Sequence, residues 1–184
     1  MRDALADAPA PAAERLGHFL AHVERTPARE LQQQYVETFD LRRRCSLYLT
    51  YYAYGDTRKR GVALVEFKQT YRRAGLEIDG DELPDHLAVV LELAATGADE
   101  DARAAGVGLL LAHRAGLELL RLALQDSGSP WGDVVAAVCT TLPPLQGTDR
   151  EAVARLAAEG PPGEEVGLEP FAPPTSAPVM GARR

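Results

Sequence analysis

The apolar positions along the chain recur every three to four residues, the spacing that gathers them on one face of an α-helix. Leu16, Phe19, Leu20 and Val23 mark a first helix over 11–25. Thr26-Pro27 restarts the chain: Thr suits a cap, and Pro suits the first helical position, where its missing N–H costs nothing. Leu31, Tyr35 (or Val36) and Phe39 then share the inner face of a second helix. The stretch 40–54 reads as a short helix carrying Leu47, Tyr48, Tyr51 and Tyr52, broken by Gly55-Asp56-Thr57. Asp56 or Thr57 caps a longer helix to Ala74, with Leu64, Val65, Phe67 and Tyr71 apolar and Gly75 at the left-handed stop position. Pro84 opens a helix that buries Leu87, Val90, Leu91 and Ala94 and closes at Gly97. The longest helix runs from Asp99 to Gln125. Ser129 caps the next, Pro130 opens it, and Trp131, Val134, Val135, Val138 and Leu142 continue one face. Thr148-Asp149-Arg150-Glu151 fits the capping box of a short last helix ending at Gly160. No run of β-type alternation survives, so the expected fold is all-α, a single-domain bundle of about seven helices over 11–160. Residues 1–10 are expected to fray, and the Pro/Gly/Ala-rich stretch 161–184 to be a disordered tail.

Composition agrees with a globular domain: 184 residues, 46% hydrophobic and 26% charged. The formal charge of −7 argues against a nucleic-acid binder, because phosphate contacts need a concentrated positive face. The charge is nonetheless segregated. Residues 42–73 hold nine basic and two acidic residues, whereas 77–101 hold nine acidic and no basic ones. Opposed blocks of this kind pair within a fold or face a partner. Cys45 and Cys139 stand far apart and form no CxxC pair. The first residues lack the apolar core of a secretory signal, and no apolar run is long enough to span a bilayer. The cytoplasm, with both thiols reduced, is the expected compartment.

Candidate chemistry is sparse. His18 and His22 share a helix face but lack the glutamate of HExxH and a third ligand, so no metal site is assigned. Asp85-His86 pairs a carboxylate with an imidazole, yet no nucleophile elbow accompanies it; a structural role at a helix start fits better. Gly106-Val107-Gly108 falls mid-helix, where glycines permit close packing rather than cradle a phosphate. The densest feature is Tyr48, Tyr51, Tyr52 and Tyr54, flanked by Arg42, Arg43, Arg44 and by Arg58, Lys59, Arg60. Three readings stay open for it: tyrosines in the core under a solvated basic face, a groove for a helical peptide, or an RNA surface.

The segments Tyr35-Val36-Glu37-Thr38-Phe39-Asp40, Leu47-Tyr48-Leu49-Thr50-Tyr51-Tyr52 and Gly55-Asp56-Thr57-Arg58-Lys59-Arg60-Gly61 resemble the nitrate reductase molybdenum cofactor assembly chaperones of the NarJ type. Glu82-Leu83-Pro84-Asp85-His86-Leu87 and Val89-Val90-Leu91-Glu92 resemble a second signature of that family, so the likeness covers residues 31–96. The family is related to the TorD-type chaperones of molybdoenzymes. The resemblance implies a TorD-like helical fold, no enzymatic activity and a cytoplasmic chaperone. Its client would be the apo catalytic (α) subunit of respiratory nitrate reductase, bound in part through that subunit's N-terminal peptide. Maturation would precede membrane docking. The molybdenum cofactor would belong to the client, with none bound stably here. Proteins of molybdenum cofactor biosynthesis are further candidate partners; nucleic acid and membrane insertion are not expected. Tyr35, Phe39, Tyr48, Tyr51, Tyr52, Phe67 and Tyr71 are the candidate groove lining. Arg58 and Arg60 would steer acidic or helix C-terminal groups of the peptide. Asp56, Asp85 and His86 carry the family motifs and are assigned to shaping the groove and its loop. The alternative is a helical peptide- or nucleotide-binding module of unrelated role. In one respect the sequence departs from the pattern: family members carry more helical sequence ahead of the segment matching 11–25.

Overall fold

The computed structural model describes residues 5–78, 82–160 and 162. Among these residues the chain forms nine α-helices: α1 Ala10–Arg25, α2 Ala28–Tyr35, α3 Leu49–Tyr54, α4 Arg58–Arg73, α5 Leu87–Thr96, α6 Glu100–Ala112, α7 Arg114–Asp126, α8 Trp131–Thr141 and α9 Gly147–Glu159. The all-α class therefore holds, with more helices than the sequence pattern suggested. The expected tail over 161–184 lies, Pro162 apart, outside the described residues.

α7 is the central element. Leu117, Leu120 and Leu124 are fully buried along one face, and around them pack α3, α8 and α9. The hydrophobic effect holds the bundle along this seam, at ~1.5–3 kcal/mol for each fully buried large side chain. α5 lies on α6, and α1 lies on α8. The α5–α6 approach depends on Gly106: a Cβ there would sit 2.5 Å from the Ala94 backbone nitrogen and 2.7 Å from its Cα. Gly108 faces open space. Of the two mid-helix glycines, only Gly106 serves close packing.

Several local expectations are corrected by tertiary structure. The run 99–125 is not one helix, because it breaks at His113 (φ −111°, ψ 24°). The His113 ring packs edge-on to Phe67 at 5.1 Å, and its Nδ1 lies 3.2 Å from the Leu109 carbonyl. The break lets α6 turn its apolar face to α5 while α7 serves α3, α8 and α9. The run 40–54 is not one helix either. It divides into a π-turn ending at Asp40, a 3₁₀ turn Arg43–Cys45, an extended piece and α3. Caps also differ. Thr26 bonds back to the His22 carbonyl at 2.8 Å, closing α1 rather than opening α2. Thr57 makes no capping bond to α4, and its hydroxyl donates instead to the Tyr54 carbonyl. Ser129 Oγ is buried without a hydrogen bond. The capping box of α9 is Gln146 with Asp149, not Thr148 with Glu151. Within helices, Leu93 is buried where Leu91 and Ala94 were expected to be, and Val65 is 52% exposed. Gly75 (φ 73°) does take the left-handed stop position.

Candidate functional site

α3 is only six residues long, and no neighbouring side chain caps its N-terminus. So short a helix is not stable alone. Its missing cap comes from 35 positions along the chain. Asp85 is fully buried, and its Oδ2 accepts the Thr50 N–H (3.2 Å) and the Thr50 hydroxyl. The backbone completes the clamp: Leu49 N–H donates to the Asp85 carbonyl at 3.0 Å, and Leu87 N–H to the Leu47 carbonyl at 2.8 Å. These bonds flank an antiparallel pairing of Tyr48 with His86, the one isolated bridge among the described residues. A carboxylate at a helix N-terminus is favoured by the exposed N–H groups and the helix dipole.

Burying a charge is costly unless it is paired. Arg60 of α4 supplies the pairing. Its Nε donates to Thr50 Oγ1 at 3.1 Å, and its Nη2 lies 3.7 Å from Asp85 Oδ2. Nη1 lies 3.5 Å from Asp56. The guanidinium also sits 5.4 Å from the centre of the Tyr48 ring, within cation–π range. Asp85, Thr50, Arg60 and Asp56 thus tie α3, α4 and the start of α5 together.

Above this network lies a groove of about 410 Å³. Tyr35, Phe39, Leu47, Tyr48, Tyr51, Arg60 and His86 line it. The rim carries Asp40, Arg42, Arg43, Asp56 and Glu82. Tyr48 is fixed by its hydroxyl, which donates to Glu82 Oε1 at 3.2 Å, and by the His86 ring at 5.4 Å. Burial, then the Glu82 carboxylate, pushes the Tyr48 phenol pKa up, so it stays a neutral donor. Tyr35 is raised too, by burial first and then by Asp40 and Glu82. Behind Tyr35 and Phe39 stands Trp131, at 6.0 and 5.8 Å between ring centres, and beyond it Phe19 at 5.8 Å. That aromatic stack ties Tyr35 and Phe39 to α1 and α8. Apolar side chains also stand exposed nearby in sequence: Val36 at 44% and Leu41 at 72%.

Seven of the twelve candidate residues line this groove: Tyr35, Phe39, Tyr48, Tyr51, Asp56, Arg60 and His86. Asp85 lies beneath it. Three fall outside this groove: Tyr52, Phe67 and Tyr71 are 4%, 2% and 3% exposed and pack into the core, Tyr52 also bordering the neighbouring hollow beside Leu119 and Leu156. Tyr52 spends its hydroxyl on the Arg44 and Ser46 carbonyls. Burial lifts the Tyr71 phenol to about 12. Arg58 opens α4 and does not line the groove. Sequence reasoning assigned no groove role to Thr50 or Glu82, whereas Arg42 and Arg43, read as flanking the tyrosines, do border the groove. Thr50 carried a usable signal, a polar β-branched residue inside an otherwise apolar turn.

Two other sequence signals resolve without chemistry. His22 bonds Gln34 and His18 approaches Asp133, so the pair points to different partners. His86 Nδ1 accepts the Ala88 N–H and Asp85 Oδ2 is taken by Thr50, so the two do not form an acid–base pair.

Residues 3–137 match the family described as nitrate reductase delta subunit. The chain belongs to that family. Among relatives within reach, it is 43% identical to the nitrate reductase-like protein NarX of Mycobacterium tuberculosis over 137 residues, 74% of this chain and 20% of that one. It is 38% identical to the probable nitrate reductase molybdenum cofactor assembly chaperone NarJ of Bacillus subtilis over 90 residues, 49% of each chain. It is 40% identical to the nitrate reductase molybdenum cofactor assembly chaperone NarJ of Escherichia coli over 80 residues, 44% of this chain and 34% of that one. The matches thus span between a fifth and a half of these relatives' lengths. In this member of the delta subunit family both segments that carry the chaperone resemblance, 31–61 and 82–92, meet at the groove. No helix among the described residues is long and apolar enough to cross a membrane.

Proposed function

We propose that this protein is a nitrate reductase assembly chaperone without catalytic activity, and that the groove between Tyr35 and Tyr51 receives its client. The client is the apo catalytic (α) subunit of respiratory nitrate reductase, held through its N-terminal peptide while molybdenum cofactor is inserted in the cytoplasm. The cofactor is the client's and is not held stably by this chain. Proteins of molybdenum cofactor biosynthesis are further candidate partners. The helical body over 11–160 is the working unit.

One observation carries this reading. A groove of half-exposed aromatics, set on a buried network, is built from the two segments, 31–61 and 82–92, on which the resemblance to the assembly chaperones rests, and the chain is 38% and 40% identical to two named chaperones over part of its length. An amphipathic helix laid in it would bury its apolar face against Tyr35, Phe39, Tyr48 and Tyr51. Each well-buried anchor contributes ~1.5–3 kcal/mol, so two or three give the moderate affinity that a releasable client needs. The lining is not uniformly basic, since Asp40, Asp56 and Glu82 stand among Arg42, Arg43 and Arg60, which argues against a nucleic acid.

The test is calorimetric titration with a synthetic peptide from the N-terminus of the nitrate reductase α subunit. Saturable one-to-one binding is expected, weakened about tenfold or more by Tyr51→Ala, in line with an anchor's contribution. Unchanged affinity in a folded Tyr51→Ala protein would remove the groove from the reading.

A further inference from the structure

The end of the described chain lies against the turn between α3 and α4, next to the groove residue Asp56. α9 stops at Gly160 (φ 76°), and the backbone then passes close over the turn between α3 and α4. A Cβ at Gly55 would clash with the Pro162 carbonyl oxygen. Gly55 is itself at φ 57° and donates to the Tyr51 carbonyl at 2.7 Å, and its neighbour Asp56 lines the groove. Pro162, the last described residue, therefore lies beside the turn that leads into the groove.

Two features of the groove and its surroundings remain unmatched. Arg44 pairs with Asp126, and Arg60 with Asp56 and Asp85. Arg42 and Arg43, on the rim, have no ion pair among the described residues. Beside the groove, on the other side of Tyr51 and Arg43, is a second hollow of about 320 Å³, more apolar and bordered by Leu119, Leu122 and Leu156. The sequence that follows Pro162 complements both. Glu164, Glu165 and Glu169 alternate with Val166, Leu168 and Phe171, and no basic residue intervenes before Arg183. Extended at ~3.3–3.6 Å per residue, the nine residues 163–171 reach about 30 Å, ample to cross either hollow.

We propose that residues 164–171 of this same chain occupy the groove when no client is bound. Their carboxylates pair with Arg42 and Arg43, and Leu168 and Phe171 rest on the tyrosine wall. The tail is then an internal competitor: a client peptide must displace it, and the tether gives it an effective concentration in the millimolar range. The competitive consequence rests on the client-binding role proposed above; occupancy of the groove by the tail does not.

The experiment uses the full chain and the triple variant Glu164→Lys, Glu165→Lys, Glu169→Lys. Hydrogen exchange over 35–51 is read without peptide, and the α-subunit N-terminal peptide is then titrated. Faster exchange in the variant supports the tail in the groove. Recovery of slow exchange when Arg42→Glu and Arg43→Glu are added strengthens it, because only a direct charge pair is restored by reversal of both sides. A groove occupied by the tail 80–90% of the time predicts that the variant binds peptide roughly five- to tenfold more tightly. Unchanged exchange overturns the inference. Exchange that depends on protein concentration overturns it as well, assigning the groove to the tail of a second copy. Faster exchange with unchanged peptide affinity upholds the tail and removes the groove as the client's site.

Discussion

Asp85→Ala tests whether the groove is held from beneath. The carboxylate is fully buried and accepts two bonds from Thr50, while its partner Arg60 has a side chain only 18% exposed. Truncation leaves the Thr50 N–H without an acceptor at the start of α3. It also leaves Arg60 with Asp56, a 62% exposed carboxylate, as its only anionic partner among the described residues. Breaking a buried pair from one side costs about 3–5 kcal/mol. The lost bonds give a similar range, at ~1.5–3 kcal/mol for each bond to a charged group. At ~2–4 °C per kcal/mol for a chain of this size, the melting temperature should fall by ~6–20 °C. Urea unfolding should show a lower midpoint with an unchanged slope. Thr50→Val keeps the backbone donor and loses only the hydroxyl, so ~1–2 kcal/mol is expected. Asp85→Asn should fall between the two, since it keeps an acceptor for Thr50 but loses the charge facing Arg60. Peptide affinity should fall with Asp85→Ala even where the protein is folded, because Tyr48 and Tyr51 hang on the same clamp. A loss under ~1 kcal/mol for Asp85→Ala, additive with Arg60→Ala within ~0.5 kcal/mol, would refute the network as a coupled unit.

Gly106→Ala places a methyl against the Ala94 backbone, which cannot rotate away, and should destabilise by ~1–3 kcal/mol in thermal unfolding. Gly108→Ala, facing open space, should instead be neutral or stabilise by up to ~1 kcal/mol; equal effects at the two sites would contradict the α5–α6 approach. His113 is held neutral by burial, which lowers its pKa below the ordinary 6.5 despite the Leu109 carbonyl. The unfolded chain therefore binds a proton that the folded one refuses. The stability from this group is complete above pH 6.5 and is lost as pH falls through that value toward the folded pKa. Melting curves between pH 7.5 and 5.5 should show a shallower pH dependence for His113→Gln than for the parent protein, and parallel curves would exclude this origin.

The helical pattern was legible in the sequence wherever a helix owes its position to one apolar face. α1, α4, α5 and α8 follow from the spacing of Phe19, Phe67, Val90 and Val135. It failed where a long-range contact sets the backbone. Residues 46–48 carry helix-compatible side chains but are extended, because Leu47 and Leu49 bond across to Leu87 and Asp85. Residues 110–117 keep a helical spacing through His113, and the break there is seen only in the fold, where the His113 ring packs on Phe67 and α6 and α7 serve different neighbours. The same limit governs the tyrosines. Tyr51 and Tyr52 are adjacent and chemically identical, yet one lines the groove and the other is core, since consecutive helix positions lie about 100° apart and only the neighbours decide which side is inside.

Asp85 shows why the motif residues were easier to find than to interpret. Its neighbours in sequence suggest a carboxylate at the N-terminus of its own helix, complementing that helix's dipole. In the fold α5 is capped by His86, and Asp85 caps α3 instead. The displacement by one residue has a consequence for the site. A carboxylate serving α5 would be local and would leave Tyr48 and Tyr51 unsupported. Serving α3, it joins the two segments that carry the family signatures and closes the side of the groove that bears the tyrosines. Arg60 then does double duty, neutralising Asp85 from below and presenting its guanidinium face to Tyr48 from within the groove. The aromatic wall is therefore held by contacts within the chain, so a client or a tail would spend little of its binding energy on ordering it.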